Sequence, residues 1–291
     1  MKVLVLGATG TVGGAVVQNL LKAGASVAAL TRSAEKAKAL PAGVEARVGD
    51  LNDPYAVGDA FQGVEAVFLL NAVSSTETQE GLFALELAKR HGAKKIVHLS
   101  IQHVERAPHL PHFASKVAIE MAIKQSGLDY TILQPNNFLQ NDYWFKDAMV
   151  QYGVYPQPIG SAGTDRVDIR DIADAAAKAL EGGAASRKTV ILAGPTTETG
   201  ASTAATWSKH LGKPIAYAGD DLDAWEKQNL QYLPPFMVFD FKMMYAWFQQ
   251  HGLKASPGDR EATEKLLGHP MRSFDAFAKE TAAAWLSPRV Q

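Results

Sequence analysis

The sequence predicts an α/β protein built on a doubly wound parallel sheet, and two observations carry that prediction. First, short runs rich in Val, Ile and Leu alternate with stretches of helical apolar spacing through the first two thirds of the 291 residues. Second, these runs are almost continuously apolar, which is typical of parallel strands that are covered by helices on both faces. The predicted strands are residues 2–7, 26–32, 45–50, 66–71, 94–100, 130–135 and 188–194.

Helices are predicted between these strands at residues 12–24, 78–91 and 167–180, with a further helix around His112 and Lys116. After Pro135 the alternation stops, because the following segment is rich in Asn, Tyr, Gly and Pro. From Thr196 onward the pattern is mainly helical and aromatic-rich, and no further strand is expected. We therefore expect an α/β domain and a smaller, mainly helical substrate region. The α/β domain comprises residues 1–135 with about 166–195, and the substrate region comprises residues 136–165 and 196–291.

The composition excludes several classes of function. Lys and Arg number 29 against 30 Asp and Glu, and this net charge of −1 argues against nucleic acid as a main ligand. The absence of cysteine excludes disulfides, thiolate metal sites and a cysteine nucleophile. No segment approaches 18 uninterrupted apolar residues, and the apolar opening is too short for a signal peptide. His, Asp and Glu are too scattered to suggest a metal site. We expect a soluble cytoplasmic protein with no membrane partner.

The stretch GATGTVGG follows the first strand and opens the first helix, with glycines spaced as G-x-x-G-x-x-G. In a Rossmann-type fold the first glycine permits a tight turn, the second lets the backbone approach a pyrophosphate, and the third lets helix pack on strand. The helix N-terminus then offers free N–H groups to the phosphates. A purely structural glycine turn is the alternative. The cofactor-binding residues expected here are Gly7, Thr9, Gly10, Thr11, Val12 and Gly13.

The end of the second strand indicates which dinucleotide binds. An NAD site usually has Asp or Glu there, whereas this strand ends on Thr31, Arg32 and Ser33. A guanidinium can bind a 2′-phosphate with paired, charge-assisted hydrogen bonds, so Arg32 favours NADP, with Ser33 contributing. Asp50 and Leu51 follow the third strand and are expected to be cofactor-binding residues. Asp50 is expected to contact the adenine amino group or, alternatively, to cap the next turn.

Several motifs together resemble one protein family. GATGTVGG, TR after the second strand, GDL, HLS, HFASK, TILQPNNF and VDIRDIADAA resemble the NmrA-like branch of the atypical short-chain dehydrogenases/reductases. The resemblance extends from residue 1 to about 180 and, more loosely, to the end. That branch includes NADPH-dependent reductases of quinones, triphenylmethane dyes and azo dyes. It also includes cofactor-binding redox sensors that regulate a partner with little or no turnover.

The resemblance implies roles for individual residues. The wider superfamily reduces carbonyls with a Ser, a Tyr and a Lys, the last two spaced Y-x-x-x-K. Ser100 and Lys116 match this pattern, but His112 stands at the tyrosine position, which puts ordinary alcohol dehydrogenation in doubt. The resemblance implies that Lys116 bonds the nicotinamide ribose and that Asn71 lies along the cofactor. It also implies that the segment from Pro135 to Asn137 lies near the nicotinamide end.

His112 and Lys116 are four residues apart and therefore share one face of a helix. A histidine can donate a proton at neutral pH with little tuning, so the catalytic candidates are Ser100, His112 and Lys116. The alternative is that His112 and Lys116 are two polar residues on the outside of a helix. His98 lies inside the fifth strand and is expected to be structural.

Two aromatic segments, residues 138–145 and 231–250, are expected to pack partly in the core and partly around a flat substrate. The candidate lining residues are Phe138, Trp144, Phe236 and Met237. The first hypothesis is an NADPH-dependent reductase, monomeric or homodimeric, that transfers hydride directly to a quinone, azo or triphenylmethane dye. No flavin is expected, because only one dinucleotide loop is visible. The alternatives are an NADP(H) sensor with little turnover, favoured by the missing tyrosine, and a ketone or imine reductase.

Overall fold

A computed structural model describes residues 1–182 and 185–287, and the described residues contain the expected parallel sheet. The strands are β1 (Lys2–Val5), β2 (Ser26–Thr31), β3 (Val44–Val48), β4 (Ala66–Leu69), β5 (Lys95–Leu99), β6 (Asp129–Pro135), β7 (Val154–Tyr155), β8 (Lys188–Leu192) and β9 (Ala216–Tyr217). Seven of them pair in the order β3-β2-β1-β4-β5-β6-β8, and every pairing is parallel. The order reverses between β1 and β4, so the sheet is doubly wound and the Rossmann-type prediction is confirmed.

Twelve α-helices occur in the described residues, together with short 3₁₀ turns at Gly58–Phe61, Val104–Arg106 and Leu139–Phe145. None of these helices is long and apolar enough to cross a membrane. The helices are α1 (Thr11–Lys22), α2 (Ala34–Lys38), α3 (Pro54–Val57), α4 (Glu77–Arg90), α5 (Pro111–Gln125), α6 (Lys146–Tyr152), α7 (Ile169–Glu181), α8 (Gly200–Leu211), α9 (Leu222–Asn229), α10 (Pro235–His251), α11 (Pro257–Leu267) and α12 (Phe274–Leu286).

The sheet is covered on both faces because alternate strand residues point to opposite sides. Leu4 and Leu6 on one face join a fully apolar cluster with residues of α4 and α5, including Leu85 and Ile119. On the other face α1 packs against α7, and α7 also contacts β4, β5 and β6. The carboxyl ends of β1, β2, β4 and β5 are thereby left as the edge at which polar side chains gather.

The remaining residues form a separate core around Trp207, which is fully buried and stacks on Trp285 with ring centroids 4.9 Å apart. This region is mainly helical, as expected. However, the prediction that no strand follows Thr196 is wrong, because β9 pairs with β7 in a parallel two-stranded ribbon. Each strand has only two residues, which is too short to produce a pattern in the sequence.

The chain divides into two compact units. Unit 1 consists of residues 1–135, 169–192 and 261–269, and unit 2 of residues 136–168, 193–260 and 270–291, of which 288–291 lie outside the described residues. The expected division assigned 261–269 to the substrate region, whereas these residues belong to unit 1. One bond within unit 1 links this segment to the sheet: Thr263 Oγ1 donates to the carbonyl of Ile191 in β8 at 2.7 Å.

Candidate functional site

The glycine-rich turn joins β1 to α1 in unit 1 with a geometry that requires glycine. Gly7 has a φ of +70°, and its carbonyl accepts from Gly10 N at 3.0 Å. A Cβ on Gly13 would lie 2.2 Å from Gly7 O, so α1 approaches the turn too closely for any side chain. Gly10 caps α1 without a side-chain hydrogen bond, so the N–H groups of Thr11 and Val12 in the first turn lack a capping acceptor among the residues described. Anionic phosphates bind at such helix N-termini.

The end of β2 presents a positive charge. Arg32 is exposed, and no partner for its guanidinium occurs among the residues that the structure describes. Ser33 is the N-cap of α2, where its Oγ accepts from Lys36 N at 3.2 Å. The Ser33 hydroxyl proton remains available to an incoming acceptor. A phosphate monoester would therefore meet a guanidinium and a hydroxyl at this strand end.

The end of β3 is tied to α4 by hydrogen bonds. Asp50 Oδ1 accepts from Asn52 N at 2.9 Å and from Asn52 Nδ2 at 3.2 Å, so Asp50 caps the turn. Asn52 Nδ2 also donates to Glu80 Oε1 at 3.1 Å. Leu51 is buried beside this turn. The adenine contact of Asp50 and the cofactor contact of Leu51 stay predictions. The alternative role of Asp50 as a cap accounts for one of its two carboxylate oxygens.

Asn71 follows β4 and has an incompletely satisfied side chain. Its Nδ2 donates to Glu80 Oε2 at 3.4 Å, and Glu80 Oε1 also accepts from Thr76 Oγ1 at 2.7 Å. Asn71 Oδ1 is buried and lacks a hydrogen-bond partner within the described part of the chain. Buried polar atoms are usually paired, so this oxygen is an acceptor that a ligand donor would satisfy.

Helix α5 carries a buried polar stripe. Pro111 occupies the first turn, where the backbone N–H that proline lacks would have no partner in the helix. His112, Lys116 and Glu120 follow at four-residue spacing. All three are buried, with 7%, 5% and 4% of their surface exposed. The alternative that His112 and Lys116 lie on the outside of a helix is therefore wrong. Sequence reasoning missed Glu120, although it continues the same spacing.

Lys116 has a single ionic partner among the described residues. Its Nζ lies 2.6 Å from Glu77 Oε1, in the first turn of α4. Both side chains are almost completely inaccessible, at 6% and 1%. Sequence reasoning missed Glu77, because the predicted helix began one residue later. The only signal available was that acidic residues are common in the first turn of a helix.

Ser100 follows β5 and is bonded to the same stripe. Its Oγ donates to Glu120 Oε1 at 2.6 Å, and Gln134 Nε2 donates to that oxygen at 2.9 Å. Glu120 Oε2 lies 3.0 Å from Lys124 Nζ. The carboxylate of Glu120 on α5 therefore binds residues from the ends of β5 and β6. It also accepts the only hydroxyl proton of Ser100.

His98 is a fully buried histidine in β5, consistent with the structural role expected for it. Burial lowers the pKa of His98 well below its usual range, and the positive charge of Lys116 lowers it further. Its Nδ1 lies 3.1 Å from the carbonyl oxygen of Leu69. A carbonyl only accepts, so Nδ1 carries the proton and Nε2 is a buried acceptor without a partner among the residues described.

The other predicted residues are distributed as follows. Pro135 ends β6, and its carbonyl accepts from Gln102 N at 2.9 Å. In unit 2, Asn137 Oδ1 accepts from Arg166 Nε at 3.3 Å. Of the candidate lining residues, all in unit 2, Phe138 and Met237 are half-buried, while Trp144 and Phe236 are 75% and 49% exposed. Their contacts with substrate or cofactor stay predictions.

One group of side chains in unit 1 has metal-ligand types. Atoms of Asp171, Asp174 and His269 lie within 4.8 Å of one another. Asp174 Oδ1 accepts from Asn19 Nδ2 at 2.7 Å, and Asp174 Oδ2 lies 3.1 Å from His269 Nε2. These bonds join α7 to α1 and to the end of α11, which gives the group a structural explanation.

The features of unit 1 fit a phosphorylated dinucleotide. A side chain at Gly13 would clash with the turn where a pyrophosphate would approach. Arg32, at the end of the neighbouring strand, offers a charge that has no partner among the described residues. Asn71 Oδ1 supplies a buried unpaired acceptor at the end of β4. Ligands of such sheets bind beyond the carboxyl ends of the strands at the switch point, here between β1 and β4.

Comparison with known proteins gives matches over nearly the whole chain. The model of the NmrA-like family matches residues 1–278. An NAD(P)H azoreductase from Xenophilus azovorans is 31% identical over 287 residues, covering 97% of this chain and 99% of its own. A (4-alkanoyl-5-oxo-2,5-dihydrofuran-3-yl)methyl phosphate reductase from Streptomyces griseus subsp. griseus is 31% identical, with 97% and 99% covered. The NADPH complex of the Escherichia coli quinone oxidoreductase QOR2 superposes with a TM-score of 0.86 at 25% identity, covering 96% and 99%.

Proposed function

The chain belongs to the NmrA-like family, and we propose that it is an NADPH-dependent reductase that transfers hydride directly to a conjugated acceptor. The acceptor class is a quinone, an azo compound or a triphenylmethane dye, small and flat. The similarity to the azoreductase and to QOR2 supports this class. The furanone phosphate reductase adds support, because its name also describes a conjugated, electron-poor ring. We further propose a cytoplasmic protein, monomeric or homodimeric, that needs no flavin, metal or nucleic acid.

The observation that carries the cofactor assignment is the Arg32 guanidinium at the end of β2, which has no partner in the described part of the chain. A carboxylate at this point would accept ribose hydroxyls and repel a 2′-phosphate, whereas a guanidinium attracts the phosphate. The tight glycine turn supports a dinucleotide at this site, and Arg32 supports NADP rather than NAD.

The residues of unit 1 divide the work of the reaction. NADPH, when bound, would supply the hydride. A quinone or azo acceptor takes up that hydride and one proton, whereas a cationic triphenylmethane dye is neutralised by the hydride alone. In this proposal Asn71 and Lys116 orient the nicotinamide ribose, while His112 and Ser100 face the acceptor. Ser100 offers only lone pairs, because its proton is held by Glu120. The proton therefore comes from His112 or from water, which an electron-poor quinone or azo acceptor tolerates better than a plain ketone.

The test is NADPH oxidation by the purified protein against quinones, azo dyes, triphenylmethane dyes and ketones, with NADH in parallel. We expect turnover of the conjugated acceptors with NADPH preferred. In Arg32→Ala, KM for NADPH should rise about tenfold or more while KM for NADH stays unchanged. Lys38→Ala is the matched control, because this nearby cation is paired with Glu35 at 2.8 Å. No oxidation of NADPH with any acceptor would reject the reductase.

A second candidate function is a NADP(H) sensor that regulates a partner. The observation that favours it is His112 in place of a tyrosine beside Lys116. The same assay distinguishes the two functions, since a sensor binds NADPH tightly without oxidising it with any member of the panel.

A further inference from the structure

We propose that Glu77 is the positioning residue for Lys116, holding its ammonium where it can bond the nicotinamide ribose. This inference rests on the NADPH-dependent function proposed above. Glu77 is not part of the Ser-Tyr-Lys pattern of the superfamily, and it lies on a different helix from Lys116, in the first turn of α4.

The two charges depend on each other. Lys116 Nζ and Glu77 Oε1 lie 2.6 Å apart with 6% and 1% of their side chains exposed. Neither Glu77 oxygen has a well-oriented hydrogen bond to any described residue, Lys116 included, so the contact with Lys116 is an ion pair defined by its distance. A buried ion that loses its only counter-ion is strongly disfavoured. The position of the Lys116 ammonium is therefore set by Glu77 rather than by solvent.

The packing of the two helices fixes the separation of this pair. Gly81 lies one turn after Glu77 on α4, and Ile119 lies about one turn after Lys116 on α5. A Cβ on Gly81 would lie 2.4 Å from Ile119 Cδ1, so a side chain at residue 81 would displace Ile119 or widen the approach of the helices. That approach brings the first turn of α4 within ion-pair distance of α5. Gly81→Ala should push the pair apart while both charged residues are retained.

The surroundings of the Lys116 ammonium include a buried hydrogen-bond acceptor. Asn71 Oδ1 and His98 Nε2 are buried acceptors without partners among the described residues, and His98 is close enough to sense the charge of Lys116. A ribose has hydroxyl donors for such acceptors and hydroxyl oxygens for the ammonium. The buried surroundings of Lys116 therefore include His98, whose Nε2 can only accept.

The experiment is a double-mutant cycle on the full chain, read by direct NADPH titration (intrinsic tryptophan fluorescence or calorimetry) and by KM and kcat. We expect Glu77→Gln and Lys116→Met each to raise the Kd of NADPH about tenfold. If Glu77 acts through Lys116, the double variant E77Q/K116M should bind no more weakly than K116M alone. Gly81→Ala should raise the Kd by a smaller factor. Glu86→Gln, on the exposed side of the same helix, is the control and should bind as the wild type does.

Three outcomes would overturn the inference. They are E77Q binding NADPH like the wild type, an E77Q loss that persists in full in the K116M background, and a Glu86→Gln loss as large as that of E77Q. If E77Q does not fold, the comparison of K116M with E77Q/K116M still decides, because in the double variant both partners are neutral and the buried pair is removed rather than broken. Absence of NADPH binding by the wild type would instead reject the proposed function.

Discussion

Ser100 donates its hydroxyl proton to Glu120 Oε1 across 2.6 Å, in a site where both residues are buried. A serine hydroxyl has one proton and two lone pairs, and here the proton is committed. The same carboxylate also accepts a hydrogen bond from Gln134 and forms an ion pair with Lys124. Ser100 can therefore accept from a ligand, but it cannot stabilise a developing oxyanion by donation.

The first prediction follows from that bond. Ser100→Ala should lower kcat for a quinone acceptor by less than about tenfold, because no transition-state donor is removed; deleting an oxyanion donor typically costs about 10²–10³. Its unfolding free energy should fall by about 1–2 kcal/mol, since Glu120 loses a donor. Steady-state kinetics and chemical denaturation check both values. A hundredfold loss of kcat in S100A, absent from the Ser126→Ala control, would show that Ser100 donates to the substrate after all.

The second prediction uses two adjacent glycines of α1. Gly13→Ala should abolish measurable NADPH binding, because its Cβ would lie 2.2 Å from Gly7 O and the turn must move. Gly14→Ala is the matched control. Its Cβ would lie 3.5 Å from Ala8 O, an ordinary contact, and alanine is favoured over glycine in a helix by about 1 kcal/mol. Titration with NADPH and a thermal melt of both variants test this. If both variants bind NADPH equally well, the tight turn at Gly13 is not part of the cofactor site.

The sequence predicted the sheet well because buried parallel strands impose a pattern on every residue. Each of the seven predicted strands begins within one residue of the observed one. Their C-terminal ends were placed up to two residues too far, as at residues 2–7 against Lys2–Val5. The reason is that the chain stays apolar and nearly extended as it leaves the sheet: Leu6 N still donates to Phe68 O at 3.0 Å beyond the end of β1.

The sequence pattern did not predict which residues contact the predicted site residues. Lys116 and His112 share a helix, so spacing alone predicted their common face. Glu77 reaches Lys116 from another helix, 39 positions earlier in the chain, through a contact that depends on Gly81 and Ile119. Asn71 was placed by resemblance, but its link to Glu80 depends on side-chain geometry. Such pairings arise from tertiary packing, and no local pattern encodes them.

The third prediction concerns the stability of unit 2, where Arg166 and Asp142 form a completely buried ion pair at 2.7 Å. Asp142 also accepts from Trp207 Nε1 at 2.8 Å. Asp142→Asn should lower the unfolding free energy by about 3–5 kcal/mol, because it leaves the guanidinium buried without its counter-ion. Denaturant unfolding measures this. Asp275→Asn, which removes exposed ion pairs with Lys209 and His210, should cost no more than about 1 kcal/mol. Similar losses of unfolding free energy in both variants would contradict a stabilising role for the buried pair.

The fourth prediction is a pH dependence of stability that arises from His98. Burial, with a smaller effect from Lys116, holds the pKa of His98 well below 6.5 in the folded protein. In the unfolded chain the pKa returns to about 6.5, so below that pH the unfolded state binds a proton that the folded state does not. Folding stability contributed by this residue is therefore complete above about pH 6.5. As the pH falls further it is lost, at about 1.4 kcal/mol per pH unit for one proton.

The test is chemical unfolding of the wild type, His98→Asn and His109→Asn between about pH 7.5 and about pH 5. An asparagine at position 98 can still donate to the carbonyl of Leu69 but takes up no proton in this range, so H98N should lose less stability on acidification than the wild type. His109 is exposed, and its replacement should leave the wild-type slope unchanged. If H98N and the wild type lose stability in parallel, the buried neutral histidine is not the group that titrates. The loss would then belong to other proton-binding groups of the unfolded chain.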